Sequence, residues 1–317
     1  MAILFSFSHL AGAGLSVLAV LRNWRTKSLW ALVAVAFFVS LGDISQDWGV
    51  YHYYIGSKYF NELGYFDLYE CSILTATTRR DLHTYGFRHD EPDCEIFQPE
   101  RWADFRTDLY RVNFSTNMLR DKGFNATPAW VALSQALIAI GIPLDFLLLI
   151  DPLFLLLSLN LLVYAVGWRQ SAYIALFTLL FIGTTDRLWG HYMQWLWIGL
   201  SLLGVALLQK RSSFAGGVLI GIASGLYIFP IGLSLFYIRR WKVLTAVAVG
   251  LGATLLFGML NSRGFDGYIE FVENMSIHSS YIRTEGCCNI GLASGLSRLE
   301  NDNEDYLIQC FLSHGNC

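Results

Sequence analysis

The chain has 317 residues, of which 54% are hydrophobic and only 15% charged, with a net charge of −3 and a mean hydropathy of +0.43. A soluble domain with a polar surface does not carry so few charges against so much apolar surface, and the balance is not that of a basic nucleic-acid binder. The sequence predicts an all-α polytopic membrane protein.

Apolar runs able to cross, or nearly cross, roughly 30 Å of hydrocarbon occupy about 2–21, 28–44, 144–167, 171–185, 188–208 and 243–260. The first has no basic segment before it and no small-residue cleavage site after it, so it reads as a retained helix rather than a cleavable signal. The segment 213–238 is too short for two full spans, and its "GLYIFPIG" supplies a Gly and Pro bend, which predicts a hairpin of two short helices. The loops at 22–27, 167–170, 209–211 and 239–242 hold nine of the 22 Lys and Arg residues and no Asp or Glu. By the positive-inside rule these loops are cytoplasmic, which puts the other polar segments on the opposite side.

Four regions follow: N-terminal transmembrane helices over 1–44, an extracytoplasmic loop over 45–127, a transmembrane bundle over 128–261 and an extracytoplasmic segment over 262–317. All six cysteines lie in the two outer regions, which suggests an oxidising compartment. Cys71 with Cys94, inside the first loop, is the simplest pairing. No Cys/His group has zinc spacing. The large loop is dense in Tyr, Phe, Trp and paired charges, a composition that folds rather than one that stays disordered. Within it "RWADFRTDLYRVNF" has the apolar period of an amphipathic surface helix, and "NATPAW" opens a further helix with a Thr-Pro start. Asp145 and Asp151 lie inside an apolar run, each beside a proline, and read as the ends of broken helices, with ion transport as the rival reading.

"DWGVYHYYIGSKYF", residues 47–60, sets an acid, a histidine, a lysine and a series of aromatic rings at the end of an apolar run. Aromatic rings there can anchor in the membrane interface or stack on the CH face of a sugar.

This acid at the outer end of an early span, the "YHYYIGSKYF" that follows, the Gly-rich hairpin ending in Pro and the later "FDGYIEFVENMSIHSS" together resemble the GT-C superfamily of integral-membrane glycosyltransferases. The likeness is to the polyprenol-phosphate-mannose-dependent enzymes of glycosyltransferase family 87. It departs from them at His191, Tyr227 and Phe229, and in ending where relatives continue through further spans, which leaves two readings open, a truncated product or a shortened variant. The resemblance implies a GT-C-like bundle whose large first loop carries surface helices. It implies inverting transfer of a hexose, such as mannose, from a polyprenyl-phosphate donor to an acceptor hydroxyl at the outer face of a plasma or inner membrane. On this reading Asp47 and Asp43 are catalytic, while His52, Tyr54, Lys58, Arg187, His191 and His278 bind substrate. The resemblance assigns no definite cofactor, and a divalent metal ion is compatible with it. The partners are the lipid-linked donor, the bilayer and other membrane proteins, with no nucleic acid. A non-catalytic subunit of a larger membrane complex and a transporter are the alternatives.

The topology has a direct consequence. Single cysteines placed at Arg25 and Arg240, in a background without the native free thiols, should resist a membrane-impermeant thiol reagent applied from outside, and labelling of either contradicts the assignment.

Overall fold

The computed structural model describes residues 26–41, 49–76, 94–112, 114, 124–185, 192–193, 195–210 and 212–284. Among these the protein is helical throughout, without strands. Ten helices carry the architecture: α1 (Thr26–Leu41), α2 (Asp67–Ala76), α3 (Pro99–Arg111), α4 (Pro128–Ala139), α5 (Ile150–Val166), α6 (Trp168–Thr185), α7 (Leu196–Gln209), α8 (Ser213–Leu226), α9 (Trp241–Gly258) and α10 (Asp266–Thr284). Short helical turns at Val50–Ile55, Gly56–Lys58 and Phe60–Leu63 precede α2.

The helices form a row in which each packs on the next: α1 on α6, α6 on α5, α5 on α7, α7 on α8, α8 on α9 and α9 on α4. Two members of the row are long and apolar enough to cross a membrane, α9 and the stretch Leu144–Val166 that contains α5. The predicted hairpin over 213–238 is α8, a break at the extended Tyr227, and a 3-10 helix over Phe229–Tyr237 with Pro230 in its first turn.

Small residues set the spacing inside this row. On α8, Gly217, Gly221 and Gly225 lie one turn apart and face α9, while Gly216 faces Gly204 of α7. A Cβ on Gly221 would stand 2.7 Å from the backbone nitrogen of Leu251, so the two helices touch backbone to backbone there. Such contact replaces side-chain interdigitation with close dispersion, the packing that apolar helices use when no hydrophobic drive pushes them together.

The other end of the row meets a compact cap. The segment 49–76, α3 and residues 124–131 share one core with Leu147, Leu148, Tyr192, Met193 and Leu226. Local signals explain its helices. Pro99 and Pro128 occupy the first turns of α3 and α4, where a missing N–H costs nothing. Thr127 caps α4, its hydroxyl accepting from Trp130 N at 3.3 Å, and the same hydroxyl donates to Leu226 O at 3.1 Å, the C-terminal end of α8. Cys71 on α2 and Cys94 before α3 are joined by a disulfide across 23 positions, with Cα atoms 5.7 Å apart. Closing a loop of that size contributes about 3 kcal/mol.

The α8–α9 contact separates two glycine substitutions in the same pair of helices. Gly221→Ala drives a methyl into backbone and should cost about 1–3 kcal/mol. Gly252→Ala on α9 meets nothing within 4 Å and should be neutral or stabilising by up to about 1 kcal/mol. Melting of the two variants in detergent micelles checks the difference, and equal melting contradicts the packing.

Candidate functional site

The residues after the expected membrane mouth turn inward. Val50–Ile55 winds as a wide π-type turn in which Val50, Tyr51, His52, Tyr53 and Ile55 are buried, a local geometry that recurs at functional sites. The rings pack on protein: Tyr51 stacks on Tyr69 at 5.9 Å, Tyr53 meets Trp130 at 4.9 Å, and Tyr59 meets Phe105 edge-on at 5.0 Å. They form the centre of the cap rather than a belt on its surface.

His52 lies at that centre and is fully buried. Its Nδ1 is 2.9 Å from the Tyr69 hydroxyl and its Nε2 is 3.3 Å from Asn125 Oδ1. A neutral ring protonated on Nε2 satisfies both contacts, accepting from Tyr69 and donating to Asn125. Asn125 Oδ1 also accepts from the Tyr53 hydroxyl at 3.3 Å. As placed, His52 orders the core and presents no open surface to a substrate. Tyr54 is half-buried, edge-on to Tyr192 at 5.5 Å.

Lys58 leaves this core toward α3. Its Nζ donates to Asp108 Oδ2 at 2.5 Å, and the Tyr59 hydroxyl donates to the same oxygen at 2.8 Å. Arg101 covers the Tyr59 ring, its guanidinium carbon 4.5 Å from the ring centre, and binds Glu62 Oε1 at 2.8 Å and Lys58 O at 3.1 Å. Burial, then the hydrogen bond to Asp108 and its negative charge, push the Tyr59 hydroxyl well above the usual tyrosine range. Burial does the same to Tyr65, whose hydroxyl donates to Ala126 O at 2.8 Å.

A cation from far along the chain closes the cap. Arg263 lies beyond the end of α9, and it donates to Phe60 O at 3.1 Å, Asn61 O at 3.2 Å and Glu62 O at 3.3 Å, while pairing with Glu270. Those carbonyls form the C-terminal end of the Phe60–Leu63 turn, where a positive charge is favoured. Gly64 follows at φ +54°, and a Cβ there would lie 2.7 Å from Arg263 Nη1, so both conformation and space require glycine. Ser262 exchanges bonds with Gln135 of α4, and Asn274 Nδ2 donates to Phe124 O at 2.6 Å. Asn274 is buried, its side-chain amide committed to the protein.

Of the expected site residues, the structure brings His52, Tyr54 and Lys58 into one cap held by the Cys71–Cys94 bond. Asp43, Asp47, Arg187 and His191 lie outside the described residues, and His278 falls on α10. Asp151 is buried at the start of α5 and accepts the Trp195 N–H at 3.0 Å, which ties the entry of α7 to α5. Among the described residues no group of three or more His, Cys, Asp or Glu side chains could hold a metal ion. Asp108, Asn125, Arg263 and Glu270 were not foreseen. Only Asp108 had a local signal, a carboxylate on the same face of α3 as Phe105 and Val112. Comparison with protein-family profiles, curated proteins and solved structures finds no match.

The raised tyrosines set the response to alkali. Above about pH 10 the unfolded chain releases the Tyr59 and Tyr65 protons while the folded cap retains them. The folded state then binds more protons than the unfolded state, so stability falls as pH rises. Denaturant unfolding between about pH 9 and 11 should show this fall. Tyr59→Phe should remove about one proton from the slope; an unchanged slope contradicts the placement of Tyr59.

Proposed function

We propose that the chain is a multi-pass membrane protein whose cap stands on the extracytoplasmic side and that it transfers a sugar from a polyprenyl-phosphate donor in the manner of GT-C enzymes. Support for the membrane reading is that the two longest apolar helices are also poorly covered: only 44% of the Leu144–Val166 window and 33% of the α9 window is buried within the protein. A core helix of a soluble protein is mostly buried; a lipid-facing one is not. Exposed Leu153, Leu157, Leu255 and Leu256 supply that lipid face.

One observation carries the functional reading. The first polar loop and the turn after α9 are joined into one cap by Arg263, and a cap built from both must lie on a single side of the membrane. This supports the sidedness inferred from the basic loops, and it sets the aromatic stretch from Val50 onward beside the end of the helical row. In the proposed reaction the acceptor oxygen forms a bond to the anomeric carbon as the bond to the donor phosphate breaks. Asp47 takes the acceptor hydroxyl proton, and the lipid phosphate leaves with the bonding pair. Asp43 is its neighbour one turn away in sequence.

A second reading, a non-catalytic subunit of a membrane complex, draws on the charges of the cap: Lys58, Arg101 and Arg263 each already face a carboxylate. A donor phosphate bound at any of these three would have to displace a carboxylate.

Replacing Asp47 with Asn preserves size and polarity but removes the basic oxygen. In purified protein supplied with a polyprenyl-phosphate hexose and acceptor membranes, transfer should fall by about 10²-fold or more, with Asp43→Asn costing much less. Full transfer by Asp47→Asn sinks the assignment. An intact, disulfide-bonded wild type that transfers nothing under any donor leaves the subunit reading in its place.

A further inference from the structure

One face of α3 has no role in the cap core. Phe105, Asp108 and Leu109 point inward, while Ala103, Arg106, Thr107 and Tyr110 recur at the spacing that lines up a second face. With Thr75 at the end of α2 and with Phe114, this face borders an open groove of about 540 Å³, within the roughly 300–1,000 Å³ range of small-molecule sites. Tyr110 stands 88% exposed at its edge.

The polar atoms around the groove divide into two kinds. Thr75 and Thr107 donate their hydroxyl hydrogens to Ser72 O at 2.7 Å and Ala103 O at 2.8 Å. Their oxygens thus keep lone pairs for an incoming donor. Arg106 supplies only donors, and among the described residues it faces no carboxylate at ion-pair distance, unlike Lys58, Arg101 and Arg263. Ala103 leaves the floor low between them. A ligand matched to this set presents hydroxyls to the threonine oxygens, an apolar ring face to Tyr110 or Phe114, and a negative group to Arg106.

We infer that the groove between α2 and α3 binds an anionic carbohydrate, a hexose carrying a phosphate or carboxylate. Neutral sugars lack the partner for Arg106, and inorganic phosphate lacks the ring and hydroxyls. The sugar is either soluble or the headgroup of a lipid, since the recognising chemistry is the same. The groove is described without Asp47 and does not depend on the transfer reading.

Calorimetric titration of the purified full chain in detergent micelles tests this with glucose 6-phosphate, glucose, inorganic phosphate and, for the lipid source, competition by nanodiscs carrying phosphatidylinositol. Glucose 6-phosphate should bind at least about tenfold more tightly than glucose or inorganic phosphate. Arg106→Gln should weaken it by about tenfold or more and Tyr110→Ala by about three- to tenfold. Both side chains are exposed, so the variants should retain the Cys71–Cys94 bond and the wild-type melting temperature. Displacement by phosphatidylinositol nanodiscs assigns a lipid headgroup, and its absence a soluble sugar. Equal binding of glucose and its phosphate, unaltered binding by Arg106→Gln, or no binding of any probe at millimolar concentration overturns the inference.

Discussion

Arg263 is the contact on which the arrangement of the cap depends. It lies some two hundred positions beyond the carbonyls of Phe60, Asn61 and Glu62 that it binds. A guanidinium suits the task because its donors fan out in one plane, so one side chain reaches three acceptors and Glu270 together. A lysine in its place would meet one or two of them. The carbonyls at the end of a one-turn helix have few helical partners, Gly64 N–H donating to Phe60 O at 2.9 Å, and leaving the others unpaired in a partly buried place costs more than the bonds gain when made. The chain after α9 is thereby held against the first loop, and through Glu270 the contact reaches into α10.

From this clasp the interior of the cap follows. Phe60 and Gly64 bring the Phe60–Leu63 turn against Arg263, and Tyr59 and Lys58 then extend toward α3, where both bind one carboxylate oxygen of Asp108. On the other side His52, Tyr69, Asn125 and Tyr53 form a hydrogen-bonded chain inside an aromatic core. Buried polar groups linked this way specify one arrangement, because any slip of a partner strands an unsatisfied atom. The disulfide acts on the unfolded chain as much as on the folded one, by limiting how far α2 and α3 separate.

Parts of this organisation were legible in the sequence and parts were not, for physical reasons. Thr127 and Pro128 announce α4 because capping is decided by a few adjacent residues. The amphipathic period of α3 and the break at Tyr227–Pro230 are local for the same reason. The aromatic stretch at 50–60 was read as an interface or sugar-facing surface, and the structure buries most of it. Tyr and His carry both an apolar body and a polar tip, so composition alone cannot say whether a run of them faces lipid, ligand or protein. The contacts of Asp108 with Lys58 and Tyr59, and of Arg263 with the carbonyls of Phe60, Asn61 and Glu62, span 49 to 203 positions, beyond any pattern in neighbouring residues.

The central claim is that Arg263 is the clasp on which the joining of the first loop to the segment after α9 depends, with the Asn274–Phe124 bond secondary to it. Hydrogen–deuterium exchange of the full chain in micelles measures it directly, read on the amides of 59–64 after Arg263→Ala. The claim predicts that protection falls there and around Glu270 and Asn274 together, while α8 and α9, held by their glycine contact, keep theirs. Loss of protection confined to residue 263 and its immediate neighbours, with 59–64 unchanged, contradicts it.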